Sequence, residues 1–393
     1  VALYRAHLES CPIILGSATP SIDSFYLARQ EKLTRLELNQ RAGSAVMPKM
    51  HLIDLKVAKK KHGMSEVLIA EIKKRLEKKE QVLIFLNRRG YAPVLICESC
   101  AWQANCPHCD AHFTLHLKPY QHLHCHHCGT INRLPDACPQ CNHTQLKPIG
   151  MGTAKVEESL NELFPDFPVL RVDRDSTSRV GSWQKIYDQI QKSEPMILLG
   201  TQMLAKGHHF PYVTLVTILD IDSGLLSVDF RATERTAQLI VQVAGRAGRG
   251  DKKGEVYLQT LRPDHPLLNT LIEKDYRAFA KQTLKDRQAA LMPPCRYAIM
   301  IRCESKSQEE NLKFLTEMTQ TLRQQSEASL IDIWGPIPAP MERKAGRYQA
   351  HVVLLSLERA KMHFYVHQWW NILLHSKPSS MKITIDVDPQ ELS

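Results

Sequence analysis

The chain has 393 residues, 43% of them hydrophobic and 23% charged, with 51 Lys and Arg against 41 Asp and Glu and a formal net charge of +10. That length suits a few domains of about 100 to 200 residues each, and the basic balance favours a polyanionic partner such as nucleic acid. No apolar run approaches the roughly 18 residues that span a bilayer and no charged segment leads into an apolar one at the start, so no membrane partner and a cytoplasmic location are expected.

Val1 to Leu8 reads as an amphipathic helix that begins without a cap, as a fragment cut inside a domain would. Residues 12–16, Pro-Ile-Ile-Leu-Gly, form a short apolar run that reads as a strand, and Ser17-Ala-Thr-Pro20 then offers hydroxyls and a proline suited to a helix start. A basic connector over 49–61 leads to an amphipathic helix over 65–79 and a buried strand over 82–86. Beyond a cysteine-rich stretch the alternation resumes, with strand 168–172, helix 182–192, strands 196–199 and 213–219, helix 232–243 and strand 255–259. Such alternation predicts an α/β fold with a parallel sheet. From 261 the pattern changes: a helical stretch over 267–289 precedes strand 297–303, helix 307–326, strands 330–334 and 348–356, helix 358–374 and strand 381–387. That β-α-β-β-α-β order predicts a ferredoxin-like α+β domain.

Eight of the 11 cysteines fall in four C-x-x-C pairs: Cys97/Cys100, Cys106/Cys109, Cys125/Cys128 and Cys138/Cys141. Two thiolates on one tight turn grip the same tetrahedral ion, so four such turns make two zinc sites. Disulfides are the competing reading, which a reducing cytosol disfavours. With four thiolates per ion no position is left for water, and the sites read as structural. His108, His112, His124, His126, His127 and His143 lie among the pairs and any could replace a thiolate, but complete cysteine pairs make that unnecessary. Sequential pairing would join the first two pairs across only five residues. Nested pairing puts Cys106, Cys109, Cys125 and Cys128 on one ion, with a 15-residue span for a hairpin, and Cys97, Cys100, Cys138 and Cys141 on the other.

Gln242-Val-Ala-Gly-Arg-Ala-Gly-Arg249 ends the helix that begins at 232 and sets Arg246 and Arg249 one turn apart, bordered by Gly245 and Gly248. Arginines so placed can stabilise charge developing on a γ-phosphoryl group held by a facing domain; solvated arginines at a glycine-rich helix end are the bland alternative. The string resembles motif VI of superfamily 2 helicases. Leu15-Gly-Ser-Ala-Thr-Pro20 resembles motif III, and Gly200-Thr-Gln-Met-Leu-Ala-Lys-Gly207 resembles motif V. The cysteine pairs follow Leu86-Asn-Arg-Arg-Gly-Tyr91, Asp229-Phe-Arg-Ala-Thr-Glu-Arg235 precedes motif VI, and Ile385-Asp-Val-Asp-Pro389 lies near the end. Together these narrow the resemblance to the PriA replication-restart helicase family, over essentially the whole chain.

The resemblance implies that 1–36 end a first RecA-like helicase lobe, 37–94 and 142–260 form a second, 95–141 are a zinc-binding module inserted in it, and 261–393 are a C-terminal DNA- and partner-binding domain. It implies a 3′ to 5′ ATP-dependent DNA helicase that remodels stalled forks and starts primosome assembly. Arg246, Arg249 and Gln242 would act on the nucleotide, with Gly245, Gly248 and Gly207 beside it; Thr201, Gln202 and Lys206 would contact DNA; Ser17 and Thr19 would couple the lobes. Thr201 also stands at an expected helix N-terminus, where backbone N–H groups can hold a phosphate oxygen. ATP with Mg²⁺ would sit mostly in the first lobe, because neither G-x-x-x-x-G-K-[ST] nor D-E-x-H occurs here; this chain alone is expected to be inactive within a longer protein. Val213 to Asp220 imitates a magnesium-binding strand, yet follows motif V, where the family has a structural strand.

The implied partners are single-stranded and forked DNA, single-strand-binding protein and other primosome proteins, with the chain a monomer. Arg343-Lys-Ala-Gly-Arg-Tyr348 and Arg359 would add contacts from the last domain. The alternative of a different class is a zinc-containing DNA-binding scaffold without a motor; a second is another zinc-bearing nucleic-acid ATPase.

Overall fold

The computed structural model describes residues 2–38, 48–86, 94–97, 99–100, 102–108, 113–116, 120–125, 130–149, 153–172, 182–201, 204, 210–225, 229–248, 253–324 and 330–392. In chain order, α1 (Ala2–Leu8) and α2 (Ile22–Arg29) precede β1 (Lys49–Asp54) and a small hairpin of β2 (Lys60–Lys61) and β3 (Met64–Ser65). Next come α3 (Glu66–Glu77) and β4 (Gln81–Phe85). The cysteine-rich stretch supplies β5 (Val94–Cys97), β6 (Thr114–His116), β7 (His122–His124), β8 (Ile131–Arg133) and β9 (Leu146–Ile149). The lobe resumes with α4 (Thr153–Leu163), β10 (Val169–Val172), α5 (Ser182–Ile190), β11 (Ile197–Gly200), β12 (Val213–Ile218), α6 (Asp222–Leu225), α7 (Ala232–Ala244) and β13 (Glu255–Thr260).

Among the described residues, six strands form one parallel sheet in the order β1-β13-β12-β4-β11-β10. The runs Val82 to Phe85, Ile197 to Leu199 and Val213 to Ile218 are buried throughout, which suits strands covered by helices on both faces. One face carries α3, where Ser65 Oγ caps the helix by accepting from Leu68 N at 3.2 Å, and Leu68, Ile72 and Leu76 recur every fourth residue into the core. The other face carries α7 with Ile22 and Phe25 of α2.

The structure corrects the sequence reading at four places. Residues 12–16 are not a strand: they have no regular structure, Ile14 is 92% exposed, and among the described residues no strand lies beside the run to share backbone hydrogen bonds. The connector over 49–61 opens with an edge strand, β1 pairing with β13 along all of Lys49 to Asp54. The inserted module is wider than 95–141, because β5 and β9 pair from Val94↔Ile149 to Cys97↔Leu146. The helical stretch beyond 261 breaks into α8 (Pro266–Glu273) and α9 (Tyr276–Ala289), and both bury their apolar faces in the core of the parallel lobe.

The last domain holds β14 (Tyr297–Ser305), α10 (Gln308–Arg323), β15 (Asp332–Lys344), β16 (Arg347–Ser356), α11 (Arg359–Ser376) and β17 (Lys382–Val387). Its antiparallel sheet runs β15-β16-β14-β17, the strand order of a ferredoxin-like unit, with both helices on the face that buries Leu315, Met362 and Trp369. No described helix is long and apolar enough to cross a membrane.

Candidate functional site

The module's sheet runs β8-β7-β6-β5-β9, and its small core includes Leu95, Phe113, Leu123, Cys106 and Cys125. At its base Cys97, Cys100, Cys138 and Cys141 converge with their sulfurs all within 4.8 Å of one another. Cys97 Sγ lies 3.6 Å from Cys141 Sγ, and Cys100 Sγ 3.6 Å from Cys138 Sγ. A tetrahedral zinc with Zn–S near 2.3 Å separates its thiolates by about 3.8 Å, so this donor set fits that ion. The Gln140 N–H donates to Cys138 Sγ at 3.4 Å, a contact that holds the thiol's orientation. None of the described cysteines is in a disulfide.

The thiols at the base do not ionise alike. Burial pushes Cys97 up, but the N–H groups of Cys100 and Ser99 and the neighbouring thiols pull it down further, to about 7. The Trp102 N–H favours ionisation of Cys100, yet burial and the three other thiols outweigh it and raise that thiol to about 12. Four thiolates at this spacing repel one another, and a cation lets them ionise together. In the inner set Cys106 and Cys125 share the module core, while Cys109 and Cys128 lie outside the described residues.

Two of the segments that resemble helicase motifs meet at α7. Its C-terminal turn, Gly245 to Gly248, ends with Gly248 at φ +67°, a left-handed conformation that favours glycine, and the Gly248 N–H donates to Val213 O at 2.9 Å. The turn is thereby tied to the amino end of β12. Arg246 within it is 7% exposed, whereas Gln242 stands on the surface. Thr201 continues from the opposite, carboxyl end of β11. A Cβ on Gly200 would lie 2.7 Å from Val172 O, so only glycine lets the chain turn away there. The structure therefore separates Thr201 from Arg246 by the length of the sheet. Gln202, Lys206, Gly207 and Arg249 lie outside the described residues.

What the structure does bring together is Ser17 to Asp23 and α7. Gln242 Nε2 donates to Thr19 Oγ1 at 3.3 Å and Gln238 Nε2 to Thr19 O at 3.4 Å. The Thr19 N–H donates to Ser17 Oγ at 3.1 Å. Further along, the Ile22 N–H donates to Glu234 Oε1 at 2.9 Å, and Arg231 pairs with Asp23. Glu234 is 3% exposed and accepts from Arg287 of α9 at 2.8 Å through its other oxygen. Burial opposes the charge on Arg231, but Asp23, Glu234 and Asp229 outweigh it and hold the guanidinium more firmly protonated. The string from Asp229 to Arg235 thus has a physical role that its sequence alone did not reveal. Gln238 was findable in principle, since it precedes Gln242 by four residues on one helix face. Asp220 lies two residues beyond β12, whose residues are buried throughout.

A family model described as primosomal protein N C-terminal domain matches residues 288–390, and one described as helicase conserved C-terminal domain matches 148–251. The replication restart protein PriA of Haemophilus influenzae is 43% identical over 396 residues, covering 100% of this chain and 53% of that protein. PriA of Synechocystis sp. is 35% identical, covering 99% of this chain and 47% of the relative, and PriA of Bacillus subtilis is 34% identical, covering 99% and 49%. The chain spans about half the length of these curated relatives.

Proposed function

Since this chain is the C-terminal portion of a PriA-type helicase, we propose that in the complete protein it supplies the second motor lobe, a two-zinc module and the C-terminal domain of an ATP-dependent 3′ to 5′ DNA helicase that remodels stalled forks and starts primosome assembly. The observation that carries this reading is the join of Thr19 to Gln242 at 3.3 Å, because it ties the segment resembling motif III to the helix that ends in the segment resembling motif VI. A motor must pass the state of its nucleotide from one lobe to the other, and a polar bridge between these segments is a physical route for it.

In this reading Arg246 and Arg249 stabilise the transferring phosphoryl group, with Gln242, Gly245, Gly248 and Gly207 shaping their side of the nucleotide. Thr201, Gln202 and Lys206 hold single-stranded DNA at the opposite end of the sheet. Two zinc ions, one on Cys97, Cys100, Cys138 and Cys141 and one on Cys106, Cys109, Cys125 and Cys128, clamp the module's turns. Single-strand-binding protein and primosome proteins are the expected partners. A zinc scaffold without a motor is disfavoured by the match of 148–251 to a helicase domain.

The test is DNA-stimulated ATP turnover by the complete protein. Arg246→Ala and Arg249→Ala should each lower it about 10³-fold or more while sparing DNA binding. Near wild-type turnover in both variants would overturn the motor assignment.

A further inference from the structure

Helix α9 carries none of the helicase-like motifs, yet it braces the Ser17 to Asp23 segment from both of its ends. At its start the Tyr276 hydroxyl donates to Pro20 O at 2.8 Å and accepts from Gln238 Nε2 at 3.3 Å. That Nε2 also reaches Thr19 O at 3.4 Å. Near its far end Arg287 donates to Glu234 Oε2 at 2.8 Å, and Glu234 Oε1 takes the Ile22 N–H at 2.9 Å. The bond directions at Tyr276 are fixed by chemistry: a carbonyl can only accept, so the phenol proton goes to Pro20 and a phenol lone pair receives Gln238. Tyr276 is 7% exposed, and burial pushes its phenol up, so it stays a neutral donor at physiological pH.

Pro20 and Thr19 each offer a carbonyl at this join, and each is met by a side chain of this relay. Fixing both leaves the Thr19 hydroxyl at the position where Gln242 reaches it. We propose that Tyr276 is a positioning residue of the motor: through Pro20 and Gln238 it sets the register of the Ser17 to Thr19 segment on α7, and so keeps that segment coupled to the turn from Gly245 to Gly248. The inference rests on the motor reading above and extends it to a residue outside the motifs.

Tyr276→Phe separates positioning from packing. The ring stays in the lobe core, packed on Phe279 at 5.6 Å between centroids, and only the hydroxyl is lost. In the complete protein this variant should raise the ATP consumed per base pair unwound roughly fivefold to tenfold, the scale of one buried hydrogen bond left unmade. DNA affinity should stay as in the wild type, and the melting temperature should fall by no more than a few degrees, the stability cost of the same lost bond. Gln238→Leu, which cuts the same relay from the other side, should reproduce the uncoupling. The two substitutions combined should cost little more than either alone. Wild-type coupling in both variants, or a lowered melting temperature with unchanged coupling, overturns the proposal. Arg246→Ala and Arg249→Ala, run alongside, keep the two ideas apart: if they abolish turnover while Tyr276→Phe is silent, the motor reading stands and this one fails.

Discussion

The Gly346 N–H donates to the His108 carbonyl across 2.7 Å, while the His108 N–H turns to Cys106 Sγ at 3.4 Å. One residue therefore has one backbone group on a cysteine knuckle and the other on the tip of the β15–β16 hairpin, and Met341 of that hairpin packs on the module core. If the knuckle holds zinc, stripping the metal should free the hairpin. Chelation in the complete protein is expected to raise amide exchange at Gly346 and protease cleavage over 343–348, while the core around Trp369 stays protected. Unchanged exchange at Gly346, with zinc loss verified by metal analysis, would count against the link.

The two cysteine sets should also fail differently. Each structural zinc can contribute on the order of 10 kcal/mol of apparent binding free energy. Cys97→Ser should remove the ion shared with Cys138 and Cys141 and loosen the whole module, whereas Cys109→Ser should remove the other ion and loosen mainly the tip. If Cys97→Ser instead releases the ion held with Cys106 and leaves Cys138 and Cys141 metallated, the pairing is sequential.

Glu234 should be among the most sensitive positions in the lobe. It is buried with Arg287 at 2.8 Å, so Glu234→Ala leaves that buried guanidinium without its carboxylate, while Arg231 keeps Asp23. A loss of about 3 to 5 kcal/mol is expected, read as a lower urea midpoint. Arg359→Ala breaks an exposed pair with Asp388 and a guanidinium contact 5.5 Å over the Tyr297 ring, and should cost about 1 kcal/mol or less. Equal effects from the two would show that burial is not deciding them.

Acid should weaken the last domain through His351. Burial pushes its imidazole below the ordinary value; Arg302, opposite it on β14 and paired with Asp386, adds to this, and the Leu392 backbone partly opposes it. The folded state holds this histidine neutral, while the unfolded chain takes up a proton near pH 6.5, so its contribution is intact above that pH and fades as pH falls. Stability should drop by up to about 1.4 kcal/mol per pH unit from this group until the folded form also protonates. His351→Gln should flatten the urea midpoint between pH 7 and 5.5; an unaltered slope would exclude His351 as its source.

Much of this architecture was readable in the residues. The largely apolar, fully buried runs of β4, β11 and β12 and the amphipathic α3 and α10 were visible as pattern, and the spacing of Cys97/Cys100 and Cys138/Cys141 marked the four thiols that the fold brings together. Local pattern failed where structure depends on a distant neighbour. Ile13 to Leu15 are apolar enough for a strand, but a strand exists only beside another. Lys49 to Asp54 look like a basic connector until β13 pairs with them. The module's strands are three or four residues long, too short to show an alternation. The bridge from Thr19 to Gln242 joins residues 223 apart in sequence, and no local rule finds such a pair.

Val94 stands opposite Ile149 where β5 meets β9, so the chain leaves the lobe and returns to it through a gap of about 5 Å. For the six-stranded sheet, everything between those residues is one short connection, whatever its size. Doubling such a loop costs only about 0.6 kcal/mol in closure entropy, far less than the sheet gains by setting β4 between β11 and β12. An ancestral gene could therefore gain, lengthen or exchange this appendage by a single insertion, and the strands of the motor would still find the same neighbours. The parallel sheet therefore sets no limit of its own on the size or composition of what is carried between Val94 and Ile149.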